Sequence, residues 1–175
     1  IMGVNSFNLT DPTLGDGIFE KLVINNKPRH HIFPFLLLNN AEAQEKANHI
    51  ARTLGLPLFK HSTITSRLQN GPRHWLTQIK NSDFIITDSF HGLAFSLIFN
   101  KQFFIFCASE KKFTRLHSLL KLLSLEDRFV ESIEDFEKRK NILLTPINYN
   151  SINKVLENEQ LRFRAFIQNT ISRKY

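Results

Sequence analysis

The 175 residues, 42% hydrophobic and 22% charged, are enough for one ordinary hydrophobic core and exclude wholesale disorder. The lone cysteine, Cys107, excludes an internal disulfide and a cysteine-rich metal site, and no run approaches the ~18 apolar residues of a membrane span. A net charge of +7 and a pI near 9.7 invite a nucleic-acid reading, but the basic residues are scattered. The tightest clusters, Lys111-Lys112 and Lys138-Arg139-Lys140, are short and not interleaved with aromatics, so no nucleic-acid partner is expected.

Residues 1–5 lack the basic-then-apolar pattern of a secretory signal. Through residue 27 the chain is poor in periodicity and reads as a linker leading into a domain over 28–175. Residues 31–38 form an apolar run of buried-strand type, interrupted by Pro34. Asn40 is the expected N-cap of a helix carrying Ala43, Ala47, Ile50, Ala51 and Leu54 on one face and stopped by Gly55. Residues 56–60 suggest a short strand, and Pro72 opens a helix through Trp75, Leu76 and Ile79. A strand over 84–87 leads into an apolar helix over 93–99, and a further strand covers 102–107. Phe113, Leu116, Leu119, Leu120 and Leu123 mark one face of the next helix, and 151–171 a last amphipathic one. Phe, used 17 times, is read first as core filler.

Strands alternating with helices at this spacing predict an α/β fold: a Rossmann-like, mostly parallel sheet flanked by helices. Such sheets bind ligands beyond the carboxyl ends of their strands, which directs attention to Asp88-Ser89-Phe90-His91-Gly92. A helix starting there presents free backbone N–H groups to an anion. Ser89 adds a hydroxyl, His91 an imidazole able to donate a proton near neutral pH, and Gly92 allows close approach. An equally open reading makes Ser89 or Asp88 a helix cap and His91 a structural histidine. His30-His31 reads as a solvated strand end rather than a metal site, and His61, His74 and His117 lack ligand-like spacing.

The segment from Trp75-Leu76 through Thr87-Asp88-Ser89-Phe90-His91-Gly92 to Phe99-Asn100-Lys101 resembles the signature of the polysaccharide pyruvyl transferases. There a Trp-Leu helix leads into a strand, a Ser-Phe-His-Gly turn and a helix ending in Phe-Asn-Lys. Weaker likeness continues through Arg115, Ser118-Leu119-Leu120 and Leu125-Glu126-Asp127-Arg128, and upstream at Asp11-Pro12-Thr13-Leu14. The resemblance implies the C-terminal half of a glycosyltransferase-B-like enzyme, with the N-terminal acceptor domain lacking from these residues. It implies transfer of pyruvate from phosphoenolpyruvate to a sugar of a cell-surface glycan as a cyclic ketal. Phosphoenolpyruvate is then a donor substrate, the acceptor a glycan or lipid-linked sugar, and no cofactor or metal is expected. By that similarity His91 is the catalytic residue, with Ser89, Gly92, Arg115, Lys111 and Lys112 binding substrate. Some branches carry Arg-Leu-His where this chain has Ser89-Phe90-His91, so an anion-binding arginine must come from elsewhere. The expected location is the cytoplasm, with room for peripheral association at the inner membrane face. The alternatives are a nucleotide-sugar glycosyltransferase, with Glu131 or Glu134 as ribose-binding carboxylate, and a non-catalytic binding domain of the same fold.

Overall fold

In a computed structural model of the chain, the described residues are 11–14, 18–23, 30–37, 41–59, 71–106 and 114–172. They fall into two compact units, Ile18–Ile147 and a second made of Ile1–Gly17 with Asn148–Tyr175.

Among its described residues the larger unit holds four parallel strands in the spatial order β1 (Ile32–Phe35), β2 (Phe84–Thr87), β3 (Gln102–Phe106) and β4 (Phe129–Val130). A parallel bridge from Leu58 lies on β1's other edge, so the described part of the predicted strand at 56–60 contributes one rung, with residue 60 outside the described residues. Ile32 donates to the Pro57 carbonyl (2.9 Å) and accepts from the Phe59 amide (2.8 Å). Backbone groups alternate edges along a strand, so Pro34 also faces the Leu58 side. The described pairing has ended there, and the missing N–H removes no ladder bond. The described helices of this unit are α1 (Ile18–Leu22), α2 (Ala41–Leu54), α3 (Pro72–Asn81), α4 (Phe90–Ile98), α5 (Thr114–Leu122) and α6 (Ile133–Leu143).

Alternation along the strands divides the core between two faces. Ile32, Ile86, Phe104, Phe106 and Val130 pack with Ala47, Ile50 and Ala51 of α2 and Phe136 and Leu143 of α6. On the other face, Phe33 and Phe35 meet the Trp75 ring of α3, Trp75 meets Phe95 of α4, and Phe95 meets Phe19 of α1. α5 packs beside α4 on this face. From β1 the chain steps outward to Leu58 and then back past β1 to β2. Crossovers of one hand therefore put α2 and α3 on opposite faces. The result is a Rossmann-like sheet with helices on both sides.

Two of the helix ends explain sequence features. α2 stops where Gly55 takes φ +64 and the Leu56 amide reaches back to the Ala51 carbonyl (3.1 Å). α4 stops in the same way, with Asn100 at φ +51, Asn100 N–H on Leu97 (3.1 Å) and Lys101 N–H on Ser96 (2.8 Å). The Phe99-Asn100-Lys101 motif is thus a helix terminator, with asparagine tolerating the left-handed backbone.

β4 and α6 were not anticipated from sequence. The Ser132 hydroxyl accepts from the Asp135 amide (3.1 Å) and the Asp135 carboxylate accepts from the Glu131 amide (3.2 Å), fixing the start of α6. Buried Arg128 donates to the Leu143 and Thr145 carbonyls at its end, both at 2.6 Å. Arg139 pairs with Asp135 and donates to the Asp127 and Phe129 carbonyls (2.9 and 2.6 Å), so this member of the basic triplet is an internal fastener.

In the smaller unit a 3-10 turn (Pro12–Leu14) begins where the Asp11 carboxylate accepts from the Thr13 amide (2.9 Å). The long helix α7 (Tyr149–Ser172) starts two residues earlier than its stripe suggested, because Asn148 accepts from the Asn150 amide (3.1 Å). The Gln160 amide donates to the Leu14 carbonyl. No described helix is long and apolar enough to cross a membrane.

Candidate functional site

The neighbours of β1 in the sheet, Leu58 and β2, belong to connections leaving on opposite faces. The carboxyl ends of β1 and β2 therefore flank the point where the chain order reverses, the usual ligand crevice of such a sheet. Thr87 ends β2 there. Its hydroxyl donates to the Phe35 carbonyl at the end of β1 (2.7 Å) and accepts from the Ser89 amide (3.0 Å). The Asp88 carboxylate accepts from the Leu37 amide (2.7 Å). Two side chains thus clamp the turn to the neighbouring strand, and Asp88, buried, has a structural task.

α4 begins at Phe90, three residues before the apolar run expected over 93–99, so His91 lies inside the first turn rather than ahead of the helix. The apolar run starting at Leu93 hides the first turn because Phe90 and His91 look outward. Ser89 is the N-cap residue, with extended backbone, but its hydroxyl makes no cap hydrogen bond. The first helical bond runs from the Leu93 amide to the Ser89 carbonyl (3.0 Å). The amides of Phe90, His91 and Gly92 precede it and have no intrahelical partner, and the helix dipole adds positive potential at the same place.

Gly92 is buried against β2. A Cβ there would stand 2.0 Å from Thr87 Oγ1 and 2.7 Å from Thr87 Cβ. The approach this glycine permits is therefore that of helix to strand, which keeps the α4 amides at the strand end. Ser89 is likewise buried, whereas His91 is exposed. The imidazole forms no hydrogen bond to another described residue. Its ring lies 6.1 Å from the Phe90 ring, nearly perpendicular to it.

Arg115, second residue of α5, lies with its guanidinium carbon 5.2 Å from the Phe90 ring centroid. Among the described residues it forms no ion pair and donates to no carbonyl. Arg52, Arg73, Arg128, Arg139 and Arg162 each donate to protein oxygen. The fold thus brings together His91, Phe90, Arg115 and the open end of α4. Lys111 and Lys112 lie outside the described residues.

One cation at the carboxyl edge escaped the sequence reading. The Lys46 side chain, 12% exposed, places its ammonium 3.3 Å from the Glu131 carbonyl and 5.7 Å from the Phe106 ring centroid, paired with Glu42 (2.8 Å). In sequence it is one more lysine on an amphipathic helix, and nothing there marks it. Glu134 is drawn back onto the start of α6: hydrogen bonds from its own backbone amide and from Ser132 hold its carboxyl below the ordinary range. Of the other histidines, His30 meets Asp83 (3.1 Å) just ahead of β2, His49 meets Glu137 (2.7 Å) and His74 meets Gln78 (3.2 Å). No group of three metal-ligating side chains occurs among the described residues.

A family model described as polysaccharide pyruvyl transferase matches residues 15–107, more than half of the chain. The matched span runs through α1, β1, α2, α3, β2, α4 and β3, and so includes the clamped turn and His91. No curated protein and no solved structure matches significantly.

Proposed function

The chain belongs to the polysaccharide pyruvyl transferase family, and on that premise we propose that α4, His91 and Arg115 form the donor side of a pyruvyl-transfer site. The donor is phosphoenolpyruvate and the acceptor a pair of hydroxyls on a glycan or lipid-linked sugar. The phosphate lies at the amides of Phe90, His91 and Gly92, where uncapped donors and the helix dipole favour an anion. Ser89 closes the same turn. Arg115 holds phosphate or carboxylate through its planar N–H edge. It supplies the arginine that the Ser89-Phe90-His91 turn itself lacks.

His91 gives its proton to the methylene carbon of the enol, which becomes the methyl group. The adjacent carbon, now cationic in character, forms bonds to the two sugar oxygens, and its bond to the phosphate oxygen breaks. Of the two hydroxyl protons displaced, one restores the imidazolium and the other leaves with phosphate. Protonation by a positioned acid and electrostatic support of the departing phosphate are the contributions these residues make.

The single observation that carries the reading is an exposed imidazole, hydrogen-bonded to no other described residue, in the first turn of an uncapped helix at the strand-order reversal. The working location is the cytoplasm, with peripheral contact to the inner membrane face. Calorimetric titration with phosphoenolpyruvate and with nucleotide sugars tests the reading. Binding of the first, competed by inorganic phosphate, supports it. Preference for a nucleotide sugar makes the protein a glycosyltransferase of the same architecture, and binding of neither makes it a partner domain.

A further inference from the structure

We propose that Phe90 is a positioning residue whose ring holds the Arg115 guanidinium beside His91 and so sets the affinity for the anionic donor. The proposal rests on the reading of Arg115 as an anion ligand and extends it to a residue with no hydrogen-bonding group.

Arg115 sits in the first turn of α5, and Phe90 is the first residue of α4. Their backbones come from two different crossovers, so only the fold brings the side chains together. The guanidinium carbon is 5.2 Å from the ring centroid, within the distance at which a cation is drawn to an aromatic face. The same ring meets the His91 imidazole at 6.1 Å and 85°. Phe90 therefore contacts both the proposed acid and the proposed anion clamp.

An exposed arginine has rotamer freedom to lose on binding. A ring that attracts the guanidinium removes part of that freedom beforehand. Contact through the π system also leaves the in-plane N–H groups available, whereas a carboxylate partner would occupy them. Arg139, locked to Asp135 and two carbonyls, illustrates the opposite use of the same side chain. Phe90 is half-buried, so its ring is anchored as well as presented.

The test is a set of titrations of the protein with phosphoenolpyruvate, alongside steady-state kinetics and thermal melting. The variants are Phe90→Leu, Phe90→Trp, Arg115→Ala and the double variant Phe90→Leu/Arg115→Ala. Phe90→Leu should raise Kd and KM roughly two- to five-fold, matching the range of an exposed cation–π contact, with kcat changed less. Phe90→Trp should restore affinity, and the Leu substitution should have no further effect once Arg115 is gone. Full affinity in folded Phe90→Leu, with Arg115→Ala clearly weakened, would overturn the positioning role and leave the anion-clamp reading standing. An equal loss from Phe90→Leu with and without Arg115 would also overturn it. Unchanged affinity in Arg115→Ala would instead remove the underlying assignment of Arg115.

Discussion

The Thr87 hydroxyl and the α-carbon of Gly92 are so close that a methyl group on the latter would stand 2.0 Å from the oxygen. That hydroxyl is also bonded to the Phe35 carbonyl and to the Ser89 amide, so it cannot turn away without breaking the clamp. The contact links one residue of the turn to the position of the whole α4 N-terminus.

Gly92→Ala should therefore destabilise the fold. Alanine gains roughly 0.5–1 kcal/mol from helix propensity, but overpacking of this kind costs about 1–3 kcal/mol. The steric term wins, because the obstructing atoms belong to a side chain held from two directions. Chemical denaturation should show a net loss, partly recovered when Thr87→Ala removes the nearest atom. A neutral or stabilising Gly92→Ala would mean that the helix shifts freely and that the turn is not braced by this contact.

Asp88→Ala should cost about 1–3 kcal/mol, because the Leu37 amide loses a charged acceptor at 2.7 Å in a part-buried place. Asp88→Asn keeps an oxygen in position and should retain more stability than alanine. Denaturation midpoints of the two variants provide the check. An alanine variant as stable as the parent would show that the bond between the β1 and β2 ends carries no weight.

The Arg139 side chain, hydrogen-bonded to Asp135, holds that carboxyl below its ordinary range, with the Glu131 amide and Lys138 adding to the effect and burial opposing it. A depressed folded pKa means stability that is present above the unfolded value and lost as pH falls through the folded one. The parent should thus exceed Asp135→Asn at pH 7 by on the order of 1 kcal/mol or less, as expected of a part-exposed pair. The gap should close as the solution is acidified below the usual aspartate range. A gap that stays constant with pH would assign the effect of the substitution to something other than this ionisation.

The sequence carried the sheet more faithfully than the site. β2 was readable to the residue, since Phe84-Ile85-Ile86-Thr87 is apolar and bounded by polar residues. β4 was not, being two residues long, and α6 hides behind charge because only Phe136 and Leu143 are buried on it. Its cap, Ser132-Ile133-Glu134-Asp135, was the available signal. The turn at Asp88 was legible as important from its place after a strand. What Asp88 does depends on Leu37, 51 positions away, and what Phe90 does depends on Arg115 in another crossover. Neither pairing leaves a trace in local periodicity. The family signature located the turn, while the roles of Thr87, Gly92 and Asn100 within it are matters of packing and backbone geometry.

The most direct test of the account is single-turnover and steady-state kinetics of His91→Ala and His91→Gln, with donor affinity measured separately. As the proton donor, His91 should cost roughly 10²–10⁴ in turnover when replaced by alanine. Glutamine, which donates a hydrogen bond but cannot serve as the acid, should recover donor binding while turnover stays low. Because the imidazole is exposed and bonded to no described residue, melting temperatures should hardly change. Folded His91→Ala enzyme with near-normal turnover would contradict the assignment of His91 and the donor site built around it.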